Sequence, residues 1–252
     1  MIDDPWFYAA AVPAVIMFGV SKGGFGAGFG FIAVPLIALV ISPVQAAAIL
    51  LPILCLMDIF ALRAFRGKWV GPELRILVPP LLIGIGIGTL LFEYMSPAII
   101  RLILGFVAIA FTLNHWFHLT IKGNLERPVY PPLVGTIAGA TAGFTSFIAH
   151  AGGPPLDMYL LRRKLDRTAF VGTTVVFFAI SNYVKLLPYT WLGLLDISNL
   201  STSLVLAPLA PIGIGLGVWL HRRVSDRIFF HFVYTMLFVV GVKLIYDGIG
   251  GF

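Results

Sequence analysis

The chain has 252 residues, 59% of them hydrophobic and only 11% charged, with a mean hydropathy of +0.99 and a formal net charge of +6. A soluble domain of this length needs far more charge to cover its surface, so the composition excludes a water-soluble globular protein. Apolar runs of helix-spanning length, in place of ten-residue alternating strands, predict an all-α integral membrane protein.

The opening, MIDDPWFYAAAVPAVIMF, lacks the basic region of a signal peptide and reads as the first membrane segment. It belongs to an apolar stretch, 6–42, interrupted by SKGGFGAGFGF at 21–31. Glycine weakens a helix by about 1 kcal/mol relative to alanine. A lysine in hydrocarbon costs roughly 2.5–3.5 kcal/mol or more. Such a segment is tolerated only when buried in protein or lining a watery cavity, so 6–42 reads as a broken or re-entrant helical hairpin. Three spans follow, at 43–62, 75–92 and 97–117, closing a first repeat over 1–117. A polar linker occupies 118–130. The second half, 131–252, opens on another interrupted stretch, 131–160, and continues with spans at 169–187, 201–220 and 229–247.

Of the 17 Lys and Arg residues, 13 fall in four short stretches. These are Arg63/Arg66/Lys68/Arg75, Lys122/Arg127, Arg162/Arg163/Lys164/Arg167 and Arg222/Arg223/Arg227. Such clusters mark cytoplasmic loops, which places both termini in the periplasm. The basic excess is thus topological: the expected partners are a lipid bilayer and a small solute, and nucleic acid is not expected. The sequence does not indicate an oligomeric state.

The halves resemble each other. PLLIGIGIGTLL (80–91) recurs as APIGIGLGVWL (210–220), and GGFGAGFGFIAVPL (23–36) matches AGFTSFIAHAGGPPL (142–156). A hairpin plus three spans, twice over, has an odd number of crossings after each hairpin. The second repeat is therefore expected to be inverted, as in secondary transporters.

The interruptions carry the chemistry. Glycines 24, 26 and 28, with Phe25 among them, and Gly152 and Gly153 expose amide N–H groups. Two hairpin tips brought together, with helix N-termini behind them, make an anion cradle. Lys22 supplies a full positive charge, Ser21, Thr145 and Ser146 supply hydroxyls, and His150 stands at the place in the second hairpin that corresponds to Lys22. Were His150 to titrate near its reference value of about 6.5, binding would strengthen as pH falls through that range. Asn182 and Lys185 share one face of the following span; Lys185, near its outer end, reads as an interfacial anchor. Asp58 reads as an ion-pair or helix-end residue or a proton-coupling group, and Asp157 as a half-helix cap or a partner of the basic loop after Leu161. Gly84/Gly88 and Gly213/Gly217 are small-xxx-small pairs expected to serve close helix packing. Cys55 reads as a small packing residue.

His115 and His118, three apart, lack a third metal ligand, so neither metal nor cofactor is expected. No Ser-His-Asp or paired-carboxylate constellation appears, so catalytic residues are not expected either.

GGFGAGFGFIAVPLIAL followed by SPVQAAAILLPILCLMD, with the degenerate copy GFTSFIAHAGGPPLDMYLL, resembles the TauE/SafE family of sulfite and organosulfonate exporters. The resemblance covers nearly the whole chain. It implies a bacterial inner-membrane transporter moving sulfite or small sulfonates such as sulfoacetate by alternating access. A small-anion channel and a membrane accessory protein without transport are the alternatives that share these features.

Overall fold

The computed structural model describes residues 2–25, 30–92, 94–120, 130–221, 223 and 226–251, with some side chains in 111–120 and 226–237 outside the description. Among these residues the chain is helical, without strands.

Helix α1 (Pro5–Val20) starts on an Asp4 cap, whose side chain accepts from the Trp6 amide, with Pro5 at the first helical position. It widens into a π-helical turn at Ser21–Phe25. The chain returns through a 3₁₀ turn, Gly30–Ile32, and the five-residue α2 (Ala33–Ile37). Ser42 caps α3 (Pro43–Ala64), again with proline at the first position. Helices α4 (Gly71–Phe92) and α5 (Pro97–Thr120) complete the first half.

The second half opens with α6 (Pro132–Ala149), which ends at His150 in a left-handed conformation, φ 52°. The His150 amide donates to the Ser146 carbonyl, the bond of an αL C-cap, and the Ala151 amide donates to the Thr145 carbonyl. Glycine is the usual residue there; a histidine held in this conformation marks a site where something besides helix termination is selected. Helix α7 (Gly153–Leu160) follows, then α8 (Arg167–Trp191), capped by Asp166. The stretch expected as one span at 201–220 is two helices, α9 (Ile197–Leu206) and α10 (Leu209–His221), bent by 44°. Pro208 lies at the bend and disfavours helical geometry in the residue before it. Helix α11 (Asp226–Ile249) is last.

Among the described residues, five segments are long and apolar enough to cross a membrane: Pro5–Phe25, Pro43–Ala64, Gly71–Phe92, Pro132–Ala149 and Arg167–Trp191; the bent α9–α10 pair, taken as one span, makes a sixth. Helices α5 and α11 have 24 residues each, about 36 Å at 1.5 Å per residue.

Helix α1 packs on α10, α6 on α4, α5 on α11 and α3 on α8. The glycine pairs make the first two contacts close. A Cβ on Gly213 would lie 3.0 Å from the Gly19 Cα, and one on Gly84 would collide with the Ala140 carbonyl oxygen. Packing through small residues is therefore what GIGIG and GIGLG do.

At one end of the bundle, Arg163 Nε lies 2.7 Å from Glu73 Oε1, and Tyr159 donates to Glu73 Oε2 at 2.9 Å. The hydrogen bond to this carboxylate raises the Arg163 pKa above its ordinary value. At the other end, the Ile2 amide donates to Thr202 Oγ1 at 3.2 Å, and Gln45 to Asn199 at 3.3 Å.

Candidate functional site

The two interrupted hairpins face each other across α3 and α8 and enclose a cavity of about 20 Å³, somewhat more than the ~10–15 Å³ that one ordered water requires. Its polar wall is Lys22, Ser146, His150, Thr174 and Asn182; its apolar wall includes Phe18, Phe31, Leu54 and Phe178. Gly30 and Gly153, one from each hairpin, complete the lining.

Two polar pairs define it. Lys22 Nζ lies 2.5 Å from Asp58 Oδ1 and 3.3 Å from the Leu54 carbonyl oxygen. Asn182 Nδ2 donates to the other carboxylate oxygen, Asp58 Oδ2, at 2.8 Å. On the second hairpin, Lys185 Nζ meets His150 Nδ1 at 2.8 Å, Ser146 Oγ at 3.0 Å and the Ser146 carbonyl oxygen at 3.1 Å. Ser146 Oγ in turn contacts Ser181 Oγ at 3.1 Å. His150 Nε2 lies 2.9 Å from the Ala47 carbonyl oxygen. An ammonium only donates, and a carbonyl only accepts. With Lys185 as the ammonium, His150 is the neutral imidazole that accepts at Nδ1 and donates from Nε2. Both ring nitrogens are engaged, so the hydrogen-bond set leaves no vacancy for a second ring proton.

The pairs sit at different depths. Ala47 and Leu54 are seven residues apart on α3, about 10 Å along its axis. His150–Lys185 and Lys22–Asp58 thus bracket the cavity along α3, with Asn182 reaching from α8 to the Asp58 side.

The expected site residues divide. Lys22, Ser146, His150, Gly153 and Asn182 line the cavity. Gly152 packs behind it, where a Cβ would lie 2.5 Å from the Ala142 carbonyl oxygen. Thr145 donates to the Thr141 carbonyl oxygen and borders a separate, lateral cleft with Tyr130 and Met158. Ser21 is buried and its Oγ accepts from the Gly30 amide at 3.0 Å, so that tip amide is satisfied within the hairpin. Gly24 packs on Gly217, and its carbonyl oxygen is 2.5 Å from His221 Nδ1. Phe25 lies beneath the Arg167 guanidinium, 5.4 Å from its ring centroid. Gly26 and Gly28 lie outside the described residues, as do the side chains of His115 and His118.

Three sequence expectations are corrected. Lys22 is not a free charge awaiting a ligand: Asp58 compensates it. Lys185 is not an interfacial anchor but fully buried, because α8 runs six residues past it to Trp191. The first hairpin has no developed helix dipole at its return, since α2 spans only five residues. Asp157, expected to cap or to pair, has a buried Oδ1 without a hydrogen-bond partner among the described residues.

Broken helices that carry buried polar groups into an occluded midbundle cavity define a membrane transport protein rather than a receptor or a structural span. The model of the sulfite exporter TauE/SafE family matches residues 11–244, and the chain belongs to that family. Membership implies export of sulfite or related sulfur compounds across a membrane. No curated protein and no solved structure matches the chain.

Proposed function

We propose that the chain is a secondary transporter that exports a small sulfur oxyanion or organosulfonate across the bacterial inner membrane, with the cavity between the hairpins as its substrate site. The observation that carries this reading is the convergence of a buried lysine, a histidine, a serine and an asparagine on one cavity, with a second buried lysine hydrogen-bonded behind the histidine, in a family of sulfite exporters. Buried intramembrane charges are costly and mark solute pathways.

Alternating access requires two halves that exchange roles. The helix pairing supports two inverted repeats, 1–117 and 131–252. If α1–α5 correspond to α6, α7, α8, α9–α10 and α11, a pseudo-two-fold turns the α1–α10 contact into the α6–α4 contact. It also maps the α3–α8 and α5–α11 contacts onto themselves, and takes Lys22–Asp58 onto His150–Lys185. With basic loops in the cytoplasm, both termini face the periplasm.

The test is saturable, counterflow-competent uptake of sulfite and of methanesulfonate by proteoliposomes containing the purified protein. Saturation with trans-stimulation is expected. Linear, unsaturable flux would make it a channel, and absence of flux and of ligand stabilisation would leave an accessory protein.

A further inference from the structure

We propose that the cavity selects monovalent over divalent oxyanions, because one positive charge left uncompensated among the described residues, that of Lys185, lies directly behind its Ser146–His150 wall. The inference rests on the cavity being the anion site and adds the charge state of what it takes.

Lys22 lines the cavity, Asp58 lies behind it and behind Asn182, and Lys185 lies behind Ser146 and His150. The first two form an ion pair at 2.5 Å, with Asn182 on the remaining carboxylate oxygen, and sum to zero. Lys185 has three hydrogen-bond partners, Ser146 O, Ser146 Oγ and His150 Nδ1, and no carboxylate. Three acceptors match the three N–H donors of an ammonium.

The neighbours do not alter the sum: Asp157 on α7, whose buried Oδ1 has no hydrogen-bond partner among the described residues, counts as the uncharged acid, because an isolated buried carboxylate takes up a proton. His150 is the neutral tautomer, its Nε2–H committed to Ala47. The thiol of Cys55 and the phenols of Tyr183 and Tyr189 are groups that carry no charge at neutral pH in their ordinary state. Residues 26–29 of the first hairpin are Gly, Ala, Gly and Phe, which carry none either. Glu73 and Arg163 neutralise each other at the end of the bundle.

The net charge is therefore +1, in surroundings where these groups are almost wholly shut off from solvent. A monoanion brings the occupied site to zero. A dianion leaves one buried negative charge without a partner, and in low dielectric that residue of charge is heavily penalised. For sulfite, the bound form is the hydrogensulfite ion.

The test compares methanesulfonate with sulfate on the purified full-length protein, by titration calorimetry or thermal stabilisation in detergent. Both are tetrahedral at sulfur; one carries a single charge and the other two. Methanesulfonate is expected to bind at least about tenfold more tightly. In Asp58→Asn, where the sum becomes +2, the ratio should shift towards sulfate. A second measurement needs no variant: sulfite titrated at several pH values should bind more tightly as pH falls, by about tenfold per unit where the dianion predominates. Methanesulfonate, whose charge is fixed, should not follow that trend. Sulfate binding as tightly as methanesulfonate to the unaltered protein, or sulfite affinity independent of pH, would overturn the charge selection while leaving the anion site standing. Failure of all three anions to bind would overturn the site and this inference with it.

Discussion

Lys22 and Asp58 meet at 2.5 Å, with side chains 5% and 0% exposed, and tie the π-helical turn after α1 to the inner half of α3. Taking both charges out of solvent costs several kcal/mol per ion, which attraction in the interior largely returns. The geometry therefore speaks more for position than for stability. Removing one partner leaves the other buried and alone. Asp58→Ala is expected to lose about 3–5 kcal/mol, whereas Lys22→Met combined with Asp58→Leu should recover most of that loss. Reversible denaturation in mixed micelles measures both. A double variant no more stable than Asp58→Ala would show that the pair itself supplies net stability.

The glycine stripes make a sharper prediction, because adjacent glycines differ. A Cβ on Gly84 collides with the Ala140 carbonyl oxygen and one on Gly143 with that of Leu81, while Gly86 and Gly215 face open space. Gly84→Ala and Gly143→Ala should separate α4 from α6 and lower the melting temperature of the detergent-solubilised protein. Gly86→Ala and Gly215→Ala should be neutral or stabilising by up to about 1 kcal/mol, through helix propensity alone. Equal losses at all four positions would refute close packing as the reason for the pattern.

Much of this was legible from sequence. The glycine-rich interruptions announced both hairpins, and small-xxx-small spacing announced the contacts they make. The pairing of charges was not legible. Lys22 finds Asp58 through tertiary packing, which no local spacing encodes. Lys185 looked terminal because apolar residues thin out after it, yet α8 continues through Pro188 to Trp191 and holds it inside. Thr145 and Ser146 looked equivalent in the sequence, but successive residues of a helix point about 100° apart. Ser146 therefore meets Lys185 while Thr145 turns to the lateral cleft.

Lys185 carries the next prediction. Lys185→Met removes the uncompensated charge and leaves the Lys22–Asp58 pair in place. For a charge just beyond contact at an effective dielectric of about 20, the loss is on the order of 2–3 kcal/mol, or roughly 30- to 150-fold in affinity. Equilibrium binding of methanesulfonate by the folded variant measures it. A change of less than threefold would place the anion-selecting charge elsewhere.

Lys164 sits in the short turn before α8 with φ 52°, a left-handed conformation that burdens a side chain carrying a Cβ. Glycine adopts it without that cost. Lys164→Gly is expected to raise stability by up to about 1 kcal/mol, read as an upward shift in melting temperature, with anion binding unchanged because the residue is exposed and remote from the cavity. A lowered melting temperature would show that its side chain contributes more than its backbone costs.

The two ends of the bundle fix which loops lie together. Arg163 and Tyr159 on Glu73 bring the loop before α4 to the loop before α8, while Ile2 on Thr202 and Gln45 on Asn199 gather the N-terminus with α9 at the opposite end. The basic residues belong to the first of these ends, so the positive-inside rule predicts that it faces the cytoplasm. Asp3, Lys68 and Lys164 are all exposed, and Cys55, the chain's single cysteine, is buried. In a Cys55→Ala background, Asp3→Cys should react with a membrane-impermeant maleimide added outside spheroplasts. Lys68→Cys and Lys164→Cys should react only after the membrane is permeabilised. Labelling of Lys164→Cys from outside, with Lys68→Cys protected, would separate two loops that the Glu73–Arg163 contact joins. It would break the helix pairing on which the proposed inverted repeats rest. Protection of Asp3→Cys with both lysine positions reactive would keep the pairing and turn the whole protein over in the membrane.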